Sequence, residues 1–433
     1  MIAIELLVVL AAIFLGARLG SIGIGFAGGL GVLVLTLGFG MTPGSIPIDV
    51  ILIIMSVIAA IAAMQVAGGL DYLVSLAERV LRKNPKQVTF LAPVVTYIMT
   101  LFAGTGHTAF STLPVIAEVA KEQGVRPSRP LSIAVVASQI AITASPISAA
   151  LVLMTGMLEK YNVSYLQILL ICIPTTFVAC MVGAFVAQFI GKDLADDEVY
   201  QDRLAKGLVS THKVEASEIK AGAKASVLIF LFAIVAVVLY ATAISDTVAW
   251  IENPVLPRNE AIMVFMLTAA TIIAFFTKID TAEVLNAATF KSGMSACICV
   301  LGVAWLGDTF VSNHIEGIKE MSGVLLTDHP WMLAVILFFA SMLLYSQAAT
   351  TAALIPPALA LGVSPEAALA SFAAVSALFV LPTYPTLLAA VEMDDTGSTR
   401  IGKAVFNHPF VIPGVVTIVV SVALGFVVAN LVL

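Results

Sequence analysis

The sequence has few charged residues. Only 11% of its 433 residues are Asp, Glu, Lys or Arg, whereas soluble proteins carry about 25%. Hydrophobic residues make up 60% of the chain. This composition excludes an ordinary soluble domain and indicates a polytopic all-α membrane protein, whose surroundings are the lipid bilayer.

Cysteines and catalytic motifs are also scarce. The four cysteines, Cys172, Cys180, Cys297 and Cys299, lie in apolar segments, and no nearby histidine or further cysteine completes a metal site. The motifs HExxH and GxSxG and a phosphate-cradling loop are absent from the sequence. An intramembrane enzyme would need such a nucleophile–base pair or metal ligands. We therefore expect no enzyme, no metal or other cofactor, and no nucleic-acid partner.

Two interrupted apolar segments stand at matching places in the two halves of the chain. In each, two short arms flank a break of glycine, hydroxyl and amide residues. Spanning a bilayer takes about 20 apolar residues, so the short arms predict a re-entrant hairpin. Each hairpin precedes a longer helix that is itself broken; the four segments are 88–121 and 131–157, then 330–360 and 366–391. Irregular backbone at membrane depth must be buried in protein or line a wet cavity, so the breaks are the candidate binding site.

The correspondence between the halves predicts an internal repeat. The turn at 124–127 (GVRP) matches the turn at 362–365 (GVSP), and Pro146 falls opposite Pro385. Paired interrupted segments of this kind point to the substrate site of a secondary transporter. The predicted organisation is a first repeat at 1–190, a cytoplasmic linker at 191–224 and a second repeat at 225–433.

The predicted spans number five in each repeat. They lie near 2–17, 20–39, 46–69, 131–157 and 165–190, then 225–244, 260–278, 290–308, 366–391 and 409–431. An odd number of spans inverts the second repeat relative to the first. With the N-terminus outside, 18 of the 21 Lys and Arg residues fall on the cytoplasmic side, which satisfies the positive-inside rule. The sequence therefore predicts ten spans, two hairpins and both termini on the periplasmic side.

The breaks carry the candidate substrate-binding residues. These are Thr105, Gly106, His107, Thr108, Ser138, Thr143, Ser145, Pro146, Ser148, Ser346, Gln347, Thr350, Thr351, Ser376, Thr383, Tyr384, Pro385 and Thr386. Half-helix N-termini present free N–H groups and a positive dipole end, which suits a small dianion with a carboxylate at each end. Unwound carbonyls could instead hold Na⁺. The same hydroxyls could also serve only to cap and pack helices, and His107 could bind substrate, carry a proton or hold the turn.

Several long stretches carry a resemblance to a known family. They are residues 16–35, 64–74, 113–150, 293–313 and 381–410. These stretches resemble the anaerobic C4-dicarboxylate transporters of the Dcu family, and the match covers essentially the whole chain. The resemblance implies a bacterial inner-membrane carrier of fumarate, succinate, malate and aspartate. Such a carrier exchanges one dicarboxylate for another or takes it up with H⁺ or Na⁺, supporting anaerobic fumarate metabolism.

A second resemblance concerns the layout alone. The repeats and hairpins look like those of the divalent-anion/sodium symporters, which move a hairpin-bearing domain against a dimeric scaffold. This implies an elevator-type mechanism and a homodimer. The symporters' Ser-Asn-Thr motifs are replaced by GTGHT and SQAAT at the breaks, so the coupling ion stays open. The alternatives are a carrier of citrate or a monocarboxylate, and a transporter with an added sensor-regulatory role.

Overall fold

The computed structural model describes residues 2–19, 22–209, 219–244, 250–344, 346–382, 384–402 and 406–433, and this part of the chain is all-helical. The helices of the first half are α1 Ile2–Leu19, α2 Gly23–Leu33, α3 Ile48–Val66, α4 Gly69–Lys83, α5 Val88–Ala103, α6 Ala109–Glu122, α7 Ser128–Ile140, α8 Ala149–Leu158 and α9 Tyr165–Ala187. The later helices are α10 Glu198–Ala205, α11 Ala223–Ala243, α12 Arg258–Thr277, α13 Thr281–Val284, α14 Ala288–Asp328, α15 Met332–Leu344, α16 Gln347–Ala360, α17 Pro365–Ser371, α18 Pro385–Met393 and α19 Val411–Val432.

Both interrupted segments fold as helix, break and helix. In the first, α5 ends at Gly104, whose φ of +66° suits a residue without a side chain, and a 3₁₀ turn at Gly106–Thr108 leads into α6. In the second, α16 begins directly after Ser346, its N-cap. The helix pairs α5–α6 and α15–α16 therefore lie where the two hairpins were predicted. Their re-entrant course stays a prediction, and the breaks between the paired helices are called the first and second hairpin tips after that prediction.

The two predicted broken helices are also broken in the structure. After α7 the chain passes through a 3₁₀ turn, Ala141–Ala144, and an extended stretch before α8 begins. After α17 a 3₁₀ segment, Phe372–Phe379, precedes α18, which starts with Pro385 at its first position. Proline fixes φ near the helical value and lacks an N–H that the first residue of a helix does not need, so Pro385 is suited to begin α18.

Eight described helical segments are long and apolar enough to cross a membrane. They are Ile48–Val66, Pro85–Ala103, Ser128–Tyr161, Tyr165–Ala187, Ala223–Ala243, Arg258–Thr277, Ala288–His314 and Val411–Val432. The first hairpin arm is among them, because a 3₁₀ turn at Pro85–Gln87 extends it to 19 residues. This arm was predicted to be too short to cross a bilayer, but its 19 residues are long enough to do so. Four shorter apolar helices are Ile4–Gly16, Gly23–Gly38, Met332–Leu344 and Pro365–Phe379.

The helix that contains the predicted span 290–308 extends beyond it. Helix α14 runs without interruption for 41 residues, and its apolar part is Ala288–His314. At 1.5 Å per residue this helix is about 60 Å long. No proline lies within it to stop it, and glycines alone lower helix stability without ending a helix.

The centre of the molecule is built from the broken helices. From Pro130 to Ile140 every residue of α7 is buried, and so is every residue of the 3₁₀ segment Phe372–Phe379. Helix α5 packs on α7 and α15 packs on the 3₁₀ segment, while α9 and α19 pack on each other. Because both central segments are buried on every side, other helices must enclose them.

A polar clamp joins the described part of the linker to both halves. The Arg126 guanidinium donates to the buried Asp197 carboxylate, and the Arg400 guanidinium lies 3.4 Å from the same carboxylate. Arg203 donates to the Asp395 carbonyl at 2.9 Å. Burial alone would raise the pKa of Asp197, but the hydrogen bond and charge of Arg126, the Val199 N–H and Arg400 together hold that pKa below its usual value.

Candidate functional site

A cavity of about 710 Å³ lies where the breaks meet α3 and α14. Ligand pockets commonly measure about 300–1,000 Å³, so it is large enough for a small organic ion. Its lining residues are Ile24, Ile54, Ile58, Ile61, Ala103, Gly104, Thr105, Gly106, His107, Ile142, Ile147, Ala149, Ala150, Thr289, Lys291, Ser292, Gly293, Ser295, Ala296, Cys299, Ser346, Gln347, Ala348, Tyr384 and Pro385.

The tip of the first hairpin is held by its own threonines. The Thr105 hydroxyl accepts the His107 N–H at 3.3 Å, and the Thr105 carbonyl accepts the Thr108 hydroxyl at 3.2 Å. The His107 ring stacks on Phe110, with centroids 5.8 Å apart and planes inclined by 12°. A Cβ on Gly106 would come within 3.0 Å of the Ser138 carbonyl, so this tip packs closely on the broken helix. The local sequence thus presents Thr105 and His107 to the cavity.

The tip of the second hairpin begins α16. The Ser346 hydroxyl accepts the Ala349 N–H at 3.1 Å, and the Thr350 hydroxyl returns a hydrogen bond to the Ser346 carbonyl at 2.8 Å. Gln347 lines the cavity and donates its amide to the Gln139 carbonyl at 3.1 Å. This bond ties the second tip to the end of α7 in the other half of the chain.

Most hydroxyls of the broken helices bond to the backbone. Ser145 donates to the Leu101 carbonyl at 2.7 Å, and Ser148 donates to the Ile142 carbonyl at 2.6 Å. Ser148 also caps α8 by accepting the Leu151 N–H at 3.1 Å. These side chains satisfy backbone groups that the breaks leave without helical partners. Ser145 and Ser148 therefore stabilise the backbone of the break and do not line the cavity.

The structure brings some of the predicted site residues to the cavity. Those that line it are Thr105, Gly106, His107, Ser346, Gln347, Tyr384 and Pro385. Those that lie in the breaks without lining it are Thr108, Ser138, Thr143, Ser145, Pro146, Ser148, Thr350, Thr351, Ser376 and Thr386. Thr383 lies outside the described residues. The assignment of substrate binding to all these residues stays a prediction.

Helix α14 contributes a wall that the sequence analysis did not include. Its residues Thr289, Lys291, Ser292 and Ser295 line the cavity. The sequence analysis looked for polar groups in breaks, and α14 is an unbroken helix. Lys291 is one of the 18 Lys and Arg residues that the positive-inside rule placed on the cytoplasmic side. Its position inside the predicted span 290–308 was the one signal that could have identified it, since a charged residue in a span is costly.

The electrostatic character of the cavity is set by helix ends and one lysine. Among the described residues that line it, none is Asp or Glu, and Lys291 carries the one permanent charge. Four helical segments begin at the cavity: the turn Gly106–Thr108 that leads into α6, then α8, α16 and α18. The first N–H groups of a helix have no intrahelical partner, and the helix dipole adds partial positive charge there. The cavity therefore suits an anion.

Comparison with known proteins identifies the family. The family model described as "Anaerobic c4-dicarboxylate membrane transporter" matches residues 1–433. The chain is 72% identical over 433 residues to "C4-dicarboxylate transporter DcuA" of Wolinella succinogenes and 60% identical over 434 residues to that of Escherichia coli K12; each match covers 100% of both chains. The "Anaerobic C4-dicarboxylate transporter DcuB" of Escherichia coli O6:H1 is 37% identical, with 98% of each chain covered.

Two solved transporter structures share the fold at low identity. Alcanivorax borkumensis YdaH superposes with a TM-score of 0.60 at 15% identity, covering 98% of this chain and 96% of its own. Neisseria gonorrhoeae MtrF gives a TM-score of 0.56 at 14% identity, covering 92% and 84%. At such identities the likeness concerns the fold alone.

These matches confirm the expectations of a multi-pass bacterial membrane protein and of a transporter rather than an enzyme. The resemblance to the anaerobic C4-dicarboxylate transporters is confirmed over the full length. The chain belongs to the family of anaerobic C4-dicarboxylate membrane transporters.

Proposed function

We propose that this transporter carries fumarate, succinate, malate and aspartate across the bacterial inner membrane by way of the described cavity. Transport occurs by exchange of one dicarboxylate for another, or by uptake coupled to H⁺ or Na⁺. Family membership supports the substrate class. The cavity supports the route, because both hairpin tips and both broken helices contribute to its lining.

The observation that carries the proposal is the meeting of four helix N-termini in a cavity whose described lining has no carboxylate. The turn leading into α6 and the starts of α8 and α16 offer N–H donors that a substrate carboxylate can accept from without a formal cation. Helix α18 begins with Pro385, which has no N–H, so it contributes only the positive end of its dipole. Thr105 and Ser346 cap two of these ends, so their hydroxyls and the neighbouring N–H groups lie together at the wall. One carboxylate can bind at the hairpin tips while the other end of the molecule stays in the cavity.

Alternating access limits how tightly the substrate can bind. A site that must release its substrate on the far side needs moderate affinity, for which we expect micromolar dissociation constants, about −7 to −8 kcal/mol. Neutral donors suit this requirement, because they compensate the anion without the strong attraction of several buried cations.

The proposed architecture is two inverted repeats of five spans and one re-entrant hairpin each. Movement is of the elevator type, and the assembly is a homodimer. The helix–break–helix form of both hairpins supports this architecture. The cavity is bounded on one side by the tips and broken helices and on the other by α2, α3 and α14, which suits movement of one group against the other. Alkaline phosphatase fused after residue 433 should be active if the C-terminus is periplasmic, and inactivity would contradict the topology.

Transport itself is tested with purified protein in proteoliposomes. We expect labelled aspartate to enter vesicles loaded with fumarate, and unlabelled succinate and malate to compete. Uptake that needs internal fumarate and ignores imposed Na⁺ and proton gradients would establish exchange; uptake into empty vesicles driven by one gradient would identify the coupling ion. Competition by citrate or monocarboxylates, without competition by dicarboxylates, would contradict the proposal.

The site is tested with Thr105→Val, which keeps the side-chain shape and removes the hydroxyl. A hydrogen bond to a charged group contributes about 1.5–3 kcal/mol. We therefore expect KM to rise about tenfold or more, with unchanged expression. Thr155→Val is the matched control, because the Thr155 hydroxyl is buried, bonds to the Leu151 carbonyl at 2.8 Å and does not line the cavity. Equal KM values for the two variants would show that the Thr105 hydroxyl does not contribute to substrate binding.

A further inference from the structure

The N-terminal part of α14, from its first turn onward, forms a polar wall of the cavity. Thr289, Ser292, Ala296 and Cys299 line it at intervals of three and four residues, so they share one face of the helix. The N-terminal part of this face carries hydroxyls, and Lys291 stands beside it. No helix break is needed to expose these groups, because the face is already turned to the cavity.

Lys291 is available to a ligand. Its side chain is exposed, and it is the one described lining residue with a permanent positive charge. Among the ion pairs of the described residues, none involves Lys291. The ordinary alternative is a lysine that anchors a helix end at the membrane interface, as lysines often do. Such an anchor faces lipid headgroups, whereas Lys291 lines the cavity.

Lys291 and the second hairpin tip line the same cavity at different positions along α14. Near Cys299, α14 packs against the start of α16, since Cys299 and Ala349 belong to one buried apolar cluster. Lys291 lies eight residues earlier, which is about 12 Å along the helix axis. The flexible four-carbon stem of Lys291 lets its ammonium turn into the cavity that both groups line, where a short diacid can contact the ammonium and the tip together. A molecule with a single carboxylate can bind either Lys291 or the hairpin tip, but not both.

We propose that Lys291, with the neighbouring Ser292 hydroxyl, is a second carboxylate subsite that selects dianions over monoanions. The helix N-termini at the hairpin tips bind one carboxylate, and the Lys291 ammonium binds the other. This inference rests on the proposed function, because it takes the cavity as the substrate site. The ammonium is a compact cation with three hydrogen-bond donors. It can bind a substrate carboxylate and release it again on the other side of the membrane.

The test compares dianions with monoanions. In proteoliposomes, KM is measured for labelled succinate and the inhibition constant for butyrate, which has the same chain with one carboxylate. Lys291→Met keeps the stem and removes the charge, and Lys291→Arg restores a charge. Lys224→Met is the control, because Lys224 is also exposed and expected on the cytoplasmic side but does not line the cavity. Expression and melting temperature are measured for each variant.

We expect Lys291→Met to raise the succinate KM about tenfold or more and to leave butyrate inhibition unchanged. Lys291→Arg should stay within about threefold of the parent, since its charge is kept. A succinate KM equal to that of Lys224→Met would overturn the inference, and so would an equal loss for succinate and butyrate. Thr105→Val separates the two proposals: if it raises KM while Lys291→Met does not, the cavity remains the site and only the second subsite is refuted.

Discussion

The crossing of α2 and α14 gives a prediction that can be worked out from the structure. Gly25 and Gly28 on α2 face Ile298 and Gly302 on α14 at backbone contact. A Cβ built on Gly302 would lie within 3.0 Å of the Gly25 carbonyl, and one built on Gly28 would lie within 3.0 Å of the Gly302 backbone. Backbone atoms cannot turn aside as a side chain can. Gly302→Ala must therefore push the two helices apart.

The magnitude follows from a comparison with Gly29→Ala. Gly29 is also in α2, but a Cβ there meets nothing within 4 Å. Both substitutions replace glycine by alanine within a helix and gain about 1 kcal/mol of helix propensity. The gain in helix propensity is the same for both variants. The difference between their free energies of unfolding is therefore the cost of overpacking at Gly302, which is about 1–3 kcal/mol. Because both partners are backbone, we expect a difference near 3 kcal/mol.

The assay is the free energy of unfolding measured by titration with a denaturing detergent, for both variants and the parent protein. We expect Gly29→Ala to match or exceed the parent and Gly302→Ala to fall below it. Transport gives a second readout, because a displaced α14 moves the wall that carries Lys291, so the succinate KM should also rise. If Gly302→Ala proves as stable as Gly29→Ala, the close helix crossing and the reasoning built on it are wrong.

Two further predictions concern the clamp between the linker and the broken helices. Arg126→Met leaves the buried Asp197 carboxylate with only the more distant Arg400, and should cost about 3 kcal/mol of unfolding free energy; unchanged stability in the detergent titration would contradict it. The folded-state pKa of Asp197 is lowered, so its stabilisation is complete above the unfolded pKa of about 3.9 and is lost as pH falls through the folded value. Asp197→Asn should therefore flatten the acid side of the stability profile, and an equally steep fall in both proteins would refute this.

The positions of the helix breaks could be predicted from the sequence. The glycine and hydroxyl clusters at 104–108 and 346–351 predicted the breaks, and the helices α5, α6, α15 and α16 end or begin there. Capping chemistry is local, since a side chain at an N-cap reaches a backbone N–H two or three residues away. The scarcity of charge likewise determined that the helices belong in a membrane.

The extent of single helices was harder to predict. The predicted span ends at 308, whereas the helix that contains it, α14, continues to Asp328. A fall in hydropathy signals where a helix leaves apolar surroundings, but it does not end the hydrogen-bond ladder. Local capping groups, such as the left-handed Gly104 after α5, end the ladder directly.

The sequence by itself determined the class of the protein and the positions of its breaks, because both depend on composition and on neighbours within a few residues. The tertiary structure alone decided which polar groups face the cavity. Ser145 and Ser148 look like binding residues in the sequence but bond to the backbone, whereas Lys291 looks like an interfacial charge but lines the cavity. The direction of a side chain depends on how helices far apart in the chain pack against each other, and no local pattern contains that information.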